Sequence, residues 1–315
     1  MKKNFINREF IEGRLYQHNL TIKQVQNKDS ANYGKDFISG TLDIATDEEG
    51  LNVISIHFTY VTEVTNSGKV NVTYGVLKSI IDGAKAWITD GKEQALKLRV
   101  NTALALNDFY TQDGSLVSAK RNEGGFVNTV TNLVPEPERN RFDLDLVITS
   151  VNRVIADEEK GIDNDFLTIK GACFNFRNDL LPIEFTCRRE DGMGYFESLD
   201  ASPSNPIFTR VKGAINSTTV KHEIAEESAF GTASVRTVTR TTKEWCIDWA
   251  NPTEYDFGAE DTLTADELRK MMQDREVYLA DIKKRHDDYI KNRDNSFQSK
   301  PASTSTSVPT GEFDF

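Results

Sequence analysis

At 315 residues the chain is about twice the ~150-residue size of a common domain, so two folded units with an appendage are expected. A hydrophobic fraction of 38% with 18 Phe excludes wholesale disorder, and the lack of any apolar run near the ~18–20 residues of a bilayer span excludes a helical membrane protein. The net charge of −11 excludes a uniformly basic nucleic-acid binder, so any anion-binding surface has to be a local stripe.

The acidity belongs to the body. Residues 258–294 hold ten acids and eight bases and residues 295–315 hold two acids and one base, which leaves 29 bases against 37 acids over residues 1–257. The start, Met1-Lys2-Lys3-Asn4, is basic but lacks the apolar stretch of a signal peptide, so a cytoplasmic protein is expected, in a host cytoplasm if the chain is viral. Cys173, Cys187 and Cys246 form no Cys-x-x-Cys pair, and four scattered His offer no zinc spacing. Neither a disulfide framework nor a metal or other cofactor is expected.

In chain order, residues 1–35 read as an N-terminal arm. Strand signals then begin at Phe37–Ala45 and continue through Leu51–Val64, where Ile54, Ile56, Phe58 and Tyr60 share one face and His57 lies on the polar one. Val70–Leu77 reads as a third strand and residues 80–89 as a short helix. Long strands follow at Leu96–Tyr110 and Ser115–Val130, across the turn Gln112-Asp113-Gly114. This first unit spans residues 36–132.

A second unit, residues 133–257, repeats the order. Its strands are Asp143–Val154, Asp165–Phe176, Leu180–Arg189, Ile207–His222 and Ala233–Ala250, with a helical segment at Gly194–Leu199. An internal repeat supports the pairing: Ala45 and Ala156 stand 111 positions apart, as do Arg99 and Arg210, and Asp47 and Asp157 stand 110 apart. Five long strands with a helix between the third and fourth are the plan of the OB-fold barrel. The expected fold is therefore mainly β, with two tandem five-stranded OB-like barrels.

Thr264-Ala265-Asp266-Glu267 is a capping box, and Leu268, Met271, Met272, Leu279, Ile282 and Ile290 recur at helical spacing. A C-terminal amphipathic helix is expected within residues 258–294. Residues 295–315, rich in Ser and Thr, read as a flexible tail ending Gly311-Glu312-Phe313-Asp314-Phe315.

Two OB-like units, a Ser/Thr-rich linker and an acidic terminus closed by Phe resemble the single-stranded DNA-binding proteins with several OB-folds encoded by bacteriophages. The suggestive stretches are Asn107-Asp108-Phe109-Tyr110, Lys120-Arg121 and Gly124-Gly125-Phe126 in the first unit, and Phe208-Thr209-Arg210-Val211-Lys212-Gly213 in the second. The resemblance implies oligonucleotide binding without catalysis. It also implies a tail tip, Phe313, Asp314 and Phe315, that docks replication or recombination proteins.

Single-strand binding needs aromatic faces for stacking beside cations that follow the phosphates. The candidates are Phe109, Tyr110, Lys120, Arg121, Phe126, Phe176, Arg177, Arg188, Arg189, Tyr195, Lys212, Arg236, Arg240 and Trp245. Most Phe are expected in the core. Tyr110, Tyr195 and Trp245 are expected to face solvent, because each keeps a polar handle among polar neighbours. Asp47-Glu48-Glu49 and Asp157-Glu158-Glu159 invite a metal-dependent nuclease reading, but turn acids without accompanying His are better explained by solvation. No Gly-x-Ser-x-Gly and no phosphate-cradling Gly-rich loop occurs. The expected function is a non-enzymatic coat for unpaired DNA in replication or recombination, with self-association compatible; a virion structural protein is the alternative and a nuclease the third reading.

Overall fold

The computed structural model describes residues 4–30, 32–65, 67–157, 162–226, 234–258 and 262–298. Its strands are β1 (Asn7–His18), β2 (Thr21–Gln24), β3 (Asp36–Ala45), β4 (Val53–Thr62), β5 (Lys97–Tyr110), β6 (Leu116–Thr129), β7 (Asn140–Val154), β8 (Phe166–Phe174), β9 (Leu180–Cys187), β10 (Ile207–Glu226) and β11 (Ser234–Ala250). The helices are α1 (Val72–Ile81), α2 (Trp87–Asp90), α3 (Glu190–Ser198) and α4 (Ala265–Gln298).

Two closed rings emerge from the pairing. In the first, β1 lies antiparallel to both β3 and β5, β3 pairs β4, β5 pairs β6, and a short parallel contact at Ile56–Asn122 and His57–Glu123 joins β4 to β6. The order β1-β3-β4-β6-β5-β1 is the OB-fold ring, with α1 and α2 between its third and fourth strands. The second ring, β7-β8-β9-β11-β10-β7, has the same order, closes in parallel at Thr186–Cys246, and carries α3 in the same place. The chain is thus mainly β, with two OB-type barrels and a C-terminal helix.

Closure gives each strand an inward face and so a core. Ile11, Leu15, Leu42, Ile44, Ile54, Ile56, Leu98 and Val100 fill the first ring, and Phe142, Leu144, Leu167, Ile169, Phe185, Val211 and Ile247 the second. Tyr74, Leu77 and Ile80 of α1 and Met193 and Phe196 of α3 join the same continuous cluster. Six Phe are among the buried residues, at 58, 142, 174, 185, 196 and 208, fewer than half of the Phe whose side chains are described, so the expected majority in the core is not met.

The rings are fused rather than strung. β1 also pairs antiparallel with β7, from Asn7–Leu144 to Ile11–Asn140, so β6-β5-β1-β7-β10-β11 is one continuous sheet. At this seam Glu9 is fully buried. Its Oε1 accepts from Trp245 Nε1 at 3.0 Å and its Oε2 from the Thr102 hydroxyl at 2.7 Å, and burial raises its pKa from 4.5 to about 7.

Several expectations need correction. The segment 1–35 is not an arm, because β1 is the strand both rings share. Its charges disguised it: Glu9 and Glu12 break the apolar alternation, yet both are buried, Glu12 against Arg99 at 2.5 Å and the Val134 amide at 2.6 Å. Val70–Leu77 is not a strand. Its β-branched residues favour one, but α1 buries Thr73, Tyr74, Leu77 and Ile80 on a helical face over the first ring, and burial overrides propensity. The expected helix at 80–89 divides into the end of α1 and the single turn of α2.

The repeat holds only in part. Arg99 and Arg210 do occupy the fourth strand of each ring, and each pairs with an acid on its ring's first strand, Arg99 with Glu12 and Arg210 with Asp143. Ala45 and Ala156 do not correspond, since Ala45 ends the second strand of its ring and Ala156 follows the first strand of the other. A longer connection between β4 and β5 than between β9 and β10 shifts the offset along the chain.

Ring closure also depends on one residue without a side chain. A Cβ on Gly13 of β1 would stand 2.1 Å from the Ala45 carbonyl oxygen, so only glycine lets β1 cross β3 there.

Candidate nucleic-acid interface

A cavity of about 450 Å³ opens where the two barrels and α4 meet. Its floor is the β5 segment Ala103–Leu106. One wall is the turn between β8 and β9. Asn175 builds that turn, its Oδ1 accepting from the amides of Arg177 at 2.8 Å and Asp179 at 2.9 Å, while Asn178 takes a left-handed φ of 68°. The turn thrusts Phe176 outward, 80% exposed, with the Arg177 guanidinium 5.1 Å from its ring centroid.

The opposite wall is α4, whose start is the expected capping box: the Thr264 hydroxyl accepts from the Glu267 amide at 3.1 Å, and the Glu267 carboxylate accepts from the Thr264 amide at 2.8 Å. Leu263 and Leu268 pack with Phe174 and Phe208 on the outside of the second barrel. Further along, Arg275 grips Asp108 of β5 through two hydrogen bonds of 2.6 and 2.7 Å. Arg275 also lies 5.5 Å from the ring centroid of Tyr278, which is 45% exposed and lines the cavity. Carboxylates of Asp108, Glu123, Asp179 and Asp274 share the lining with Arg121, Arg177 and Arg275.

A second surface is the outer face of the fused sheet. Phe126, Asn101, Phe10 and Arg141 form a row across β6, β5, β1 and β7, and Arg8, Asp143, Lys212 and Trp249 form another across β1, β7, β10 and β11. Arg99 lies 5.5 Å from the Phe10 ring and Lys212 4.7 Å from the Trp249 ring. Phe126 is 71% exposed. Arg141 and Arg210 are tied to Asp248 and Asp143, each at 2.5 Å, which fixes their guanidinium planes against the sheet.

The sequence candidates therefore divide. Arg121, Phe176 and Arg177 meet in the cavity, with Arg121 held by Glu123 at 2.7 Å. Phe109 is exposed towards the end of the β5–β6 hairpin, whereas Tyr110 is half-buried beside His286 of α4, ring centroids 5.9 Å apart. Phe126 and Lys212 belong to the sheet face. Arg188 lies on Phe166 and pairs with Glu244, and Arg189 pairs with Asp191, both away from the cavity.

Three expectations of solvent-facing rings fail. Trp245 is 2% exposed and spends its indole N–H on Glu9, so its polar handle serves the seam. Tyr110 is partly covered by His286 of α4. Tyr195 is half-buried and donates its hydroxyl to the Asn251 carbonyl at 3.2 Å. Lys120 is likewise a seam residue, its Nζ donating to the Glu184 carbonyl and lying 4.9 Å from the Trp245 ring, and burial lowers its pKa. Arg236 and Arg240 stand opposite Ile224 and Val220 in the β10–β11 ladder, but their side chains lie outside the described part. Phe313, Asp314 and Phe315 also lie outside the described residues.

His57 is half-buried rather than solvated; burial, with Arg121 and Lys243 nearby, lowers its pKa. Glu48 is held by Lys92 at 2.8 Å and Arg139 at 2.7 Å, which brings its pKa down to about 2, and Asp47 accepts from the Leu51 amide. These acids hold a turn together, and Glu158 and Glu159 lie outside the described residues. Burial raises all three thiols, Cys187 to about 11, so none is poised as a nucleophile. Sequence reasoning missed Phe10, Arg8, Arg141, Trp249, Arg275 and Tyr278. The two in β1 were hidden by the arm reading, and the two in α4 by reading that helix as a separate appendage.

Among the described residues no helix is long and apolar enough to cross a membrane. No curated protein matches the chain in sequence. The wild-type single-stranded DNA binding protein from Thermus aquaticus is similar at 12% identity and a TM-score of 0.47, over 81% of this chain and 97% of that one. A deletion mutant of the same protein is similar at 13% identity and a TM-score of 0.46, over 82% and 98%. The family model that matches is YorF, over residues 7–285, from the first residue of β1 into α4, and the chain belongs to the YorF family.

Proposed function

We propose that this chain is a non-enzymatic single-stranded DNA-binding protein that coats unpaired strands during replication or recombination. One observation carries the reading. Two OB-type rings are fused into one body whose surface sets aromatic rings beside cations on both barrels: Phe10 with Arg99, Phe176 with Arg177, and Trp249 with Lys212. Base stacking on such rings contributes roughly 1–3 kcal/mol per base, and every base has a face to offer, so binding tolerates sequence. Duplex DNA hides those faces. Local cations act within a Debye length of ~8–10 Å, which lets them attract phosphates despite the acidic body.

Within this reading the tail tip at Phe313–Phe315 recruits replication or recombination proteins, and self-association extends the coat. The deciding experiment is a gel shift with single-stranded and duplex DNA at several salt concentrations. The expected result is single-strand binding that weakens steeply with salt, as counterion release demands. Equal duplex affinity, or no binding at low salt, overturns the reading and leaves a virion structural role.

A further inference from the structure

We infer that the cavity between the β8–β9 turn and α4 is a pocket for one unpaired nucleobase, and that Tyr278 is a stacking residue of that pocket. The inference rests on the single-strand reading and adds the C-terminal helix to the binding surface.

Chemistry on both walls points to a base. Phe176 on the turn and Tyr278 on α4 line the same 450 Å³ space, and each has a guanidinium against its ring, Arg177 at 5.1 Å and Arg275 at 5.5 Å. A planar aromatic ligand fits this arrangement, because ring faces and guanidinium planes both stack on it. The volume lies within the ~300–1,000 Å³ of small-ligand sites. Between the walls the floor is Ala103, Leu104, Ala105 and Leu106, whose apolar side chains suit a ring better than a phosphate.

Charge argues the same way. Arg275 is committed to Asp108 and Arg121 to Glu123, while Asp179 and Asp274 add further negative charge. That balance repels a phosphate from the pocket, so the backbone passes outside it. Carboxylates accept hydrogen bonds from the amino groups of bases. Arg275 is a positioning residue, since its grip on Asp108 sets where Tyr278 stands.

The test uses the full chain and an oligonucleotide carrying the fluorescent base 2-aminopurine, which is quenched on stacking. With the wild-type protein the probe is quenched on binding. Tyr278→Ala should lose most of that quenching and weaken binding roughly 5- to 100-fold, the equivalent of one base no longer stacked. Tyr278→Phe should retain both, because the ring does the stacking. Tyr278 is half-exposed, and an unchanged melting temperature in both variants establishes that the fold is intact. If the wild-type chain binds and Tyr278→Ala matches it in affinity and quenching, the pocket assignment is wrong and the parent reading stands. If the wild-type chain binds no single strand at all, the parent reading falls and the pocket with it.

Discussion

Arg275 and Asp108, separated by 167 positions in sequence, form a two-pronged ion pair with the carboxylate 1% and the guanidinium 12% exposed. The Ser118 hydroxyl of β6 donates to the same carboxylate at 2.6 Å, so one acid ties α4 to the β5–β6 hairpin. Removing one partner strands a buried charge. Arg275→Ala should cost about 3–5 kcal/mol and loosen α4, whereas replacing both residues by apolar ones of similar volume should cost much less. Denaturant titration of the two single variants and the double variant checks this, with limited proteolysis reporting on α4.

Glu9 predicts a pH dependence. Its pKa rises from 4.5 to about 7 on folding, so between those values the folded chain holds a proton that the unfolded chain has released. The stability is fully present below about pH 4.5 and is lost as the pH rises through about 7. Glu9→Gln stays neutral and can still accept from Trp245 while donating to Thr102. Its advantage over wild type should grow across that window to roughly 3 kcal/mol above pH 7, at about 1.4 kcal/mol per unit of pKa. Urea midpoints from pH 4.5 to 8.5 give the answer, and parallel curves for the two proteins would refute it.

Gly13 predicts a steric effect. Gly13→Ala drives a methyl group into the Ala45 carbonyl and should destabilise the protein by about 1–3 kcal/mol through backbone displacement. Gly34, with nothing within 4 Å of a built Cβ but a φ of 76°, is the control for backbone strain without a clash. Thermal melts of both variants separate the two causes.

Arg177 predicts a salt effect, because it is exposed on the β8–β9 turn at the edge of the cavity. Replacing it by Glu should weaken single-strand binding and reduce the slope of log affinity against log salt by about one for the phosphate no longer neutralised. Arg189, paired with Asp191 and distant from the cavity, shares the sequence signal but not the placement. Arg189→Glu should therefore change the slope less. Equal losses from the two sites would move the interface onto the second barrel's α3 end.

The tail predicts a separation of functions. Deleting residues 309–315 should leave single-strand affinity unchanged or slightly raised and abolish capture of a purified replication or recombination protein that binds the full chain. Loss of DNA binding on truncation, or undiminished capture, would contradict the assignment of Phe313 and Phe315 to partner docking.

The strands of the second barrel were legible to within four residues because they are apolar, β-branched-rich runs separated by turns that carry Asn, Asp and Gly. The start of α4 was legible for a similar reason: a capping box acts across three residues, and Thr264 and Glu267 adopt it. Where local signals conflicted with tertiary burial, the sequence misled. Glu9 and Glu12 made β1 look like a polar arm, since nothing nearby announces Trp245, Thr102 or Arg99 as their partners.

The sequence by itself determined that the chain is mainly β, that its second unit has five strands with a helix between the third and fourth, and that an amphipathic helix comes after it. Those features follow from periodicity, turn chemistry and caps, which act within a few residues. Only the tertiary structure decided that the units share β1, that Trp245 and Lys120 are seam residues, and that α4 walls a cavity with Tyr278. Each of these depends on a contact between distant residues, and a lone aromatic or charged side chain carries no local mark of whether its partner will be solvent, core or another strand.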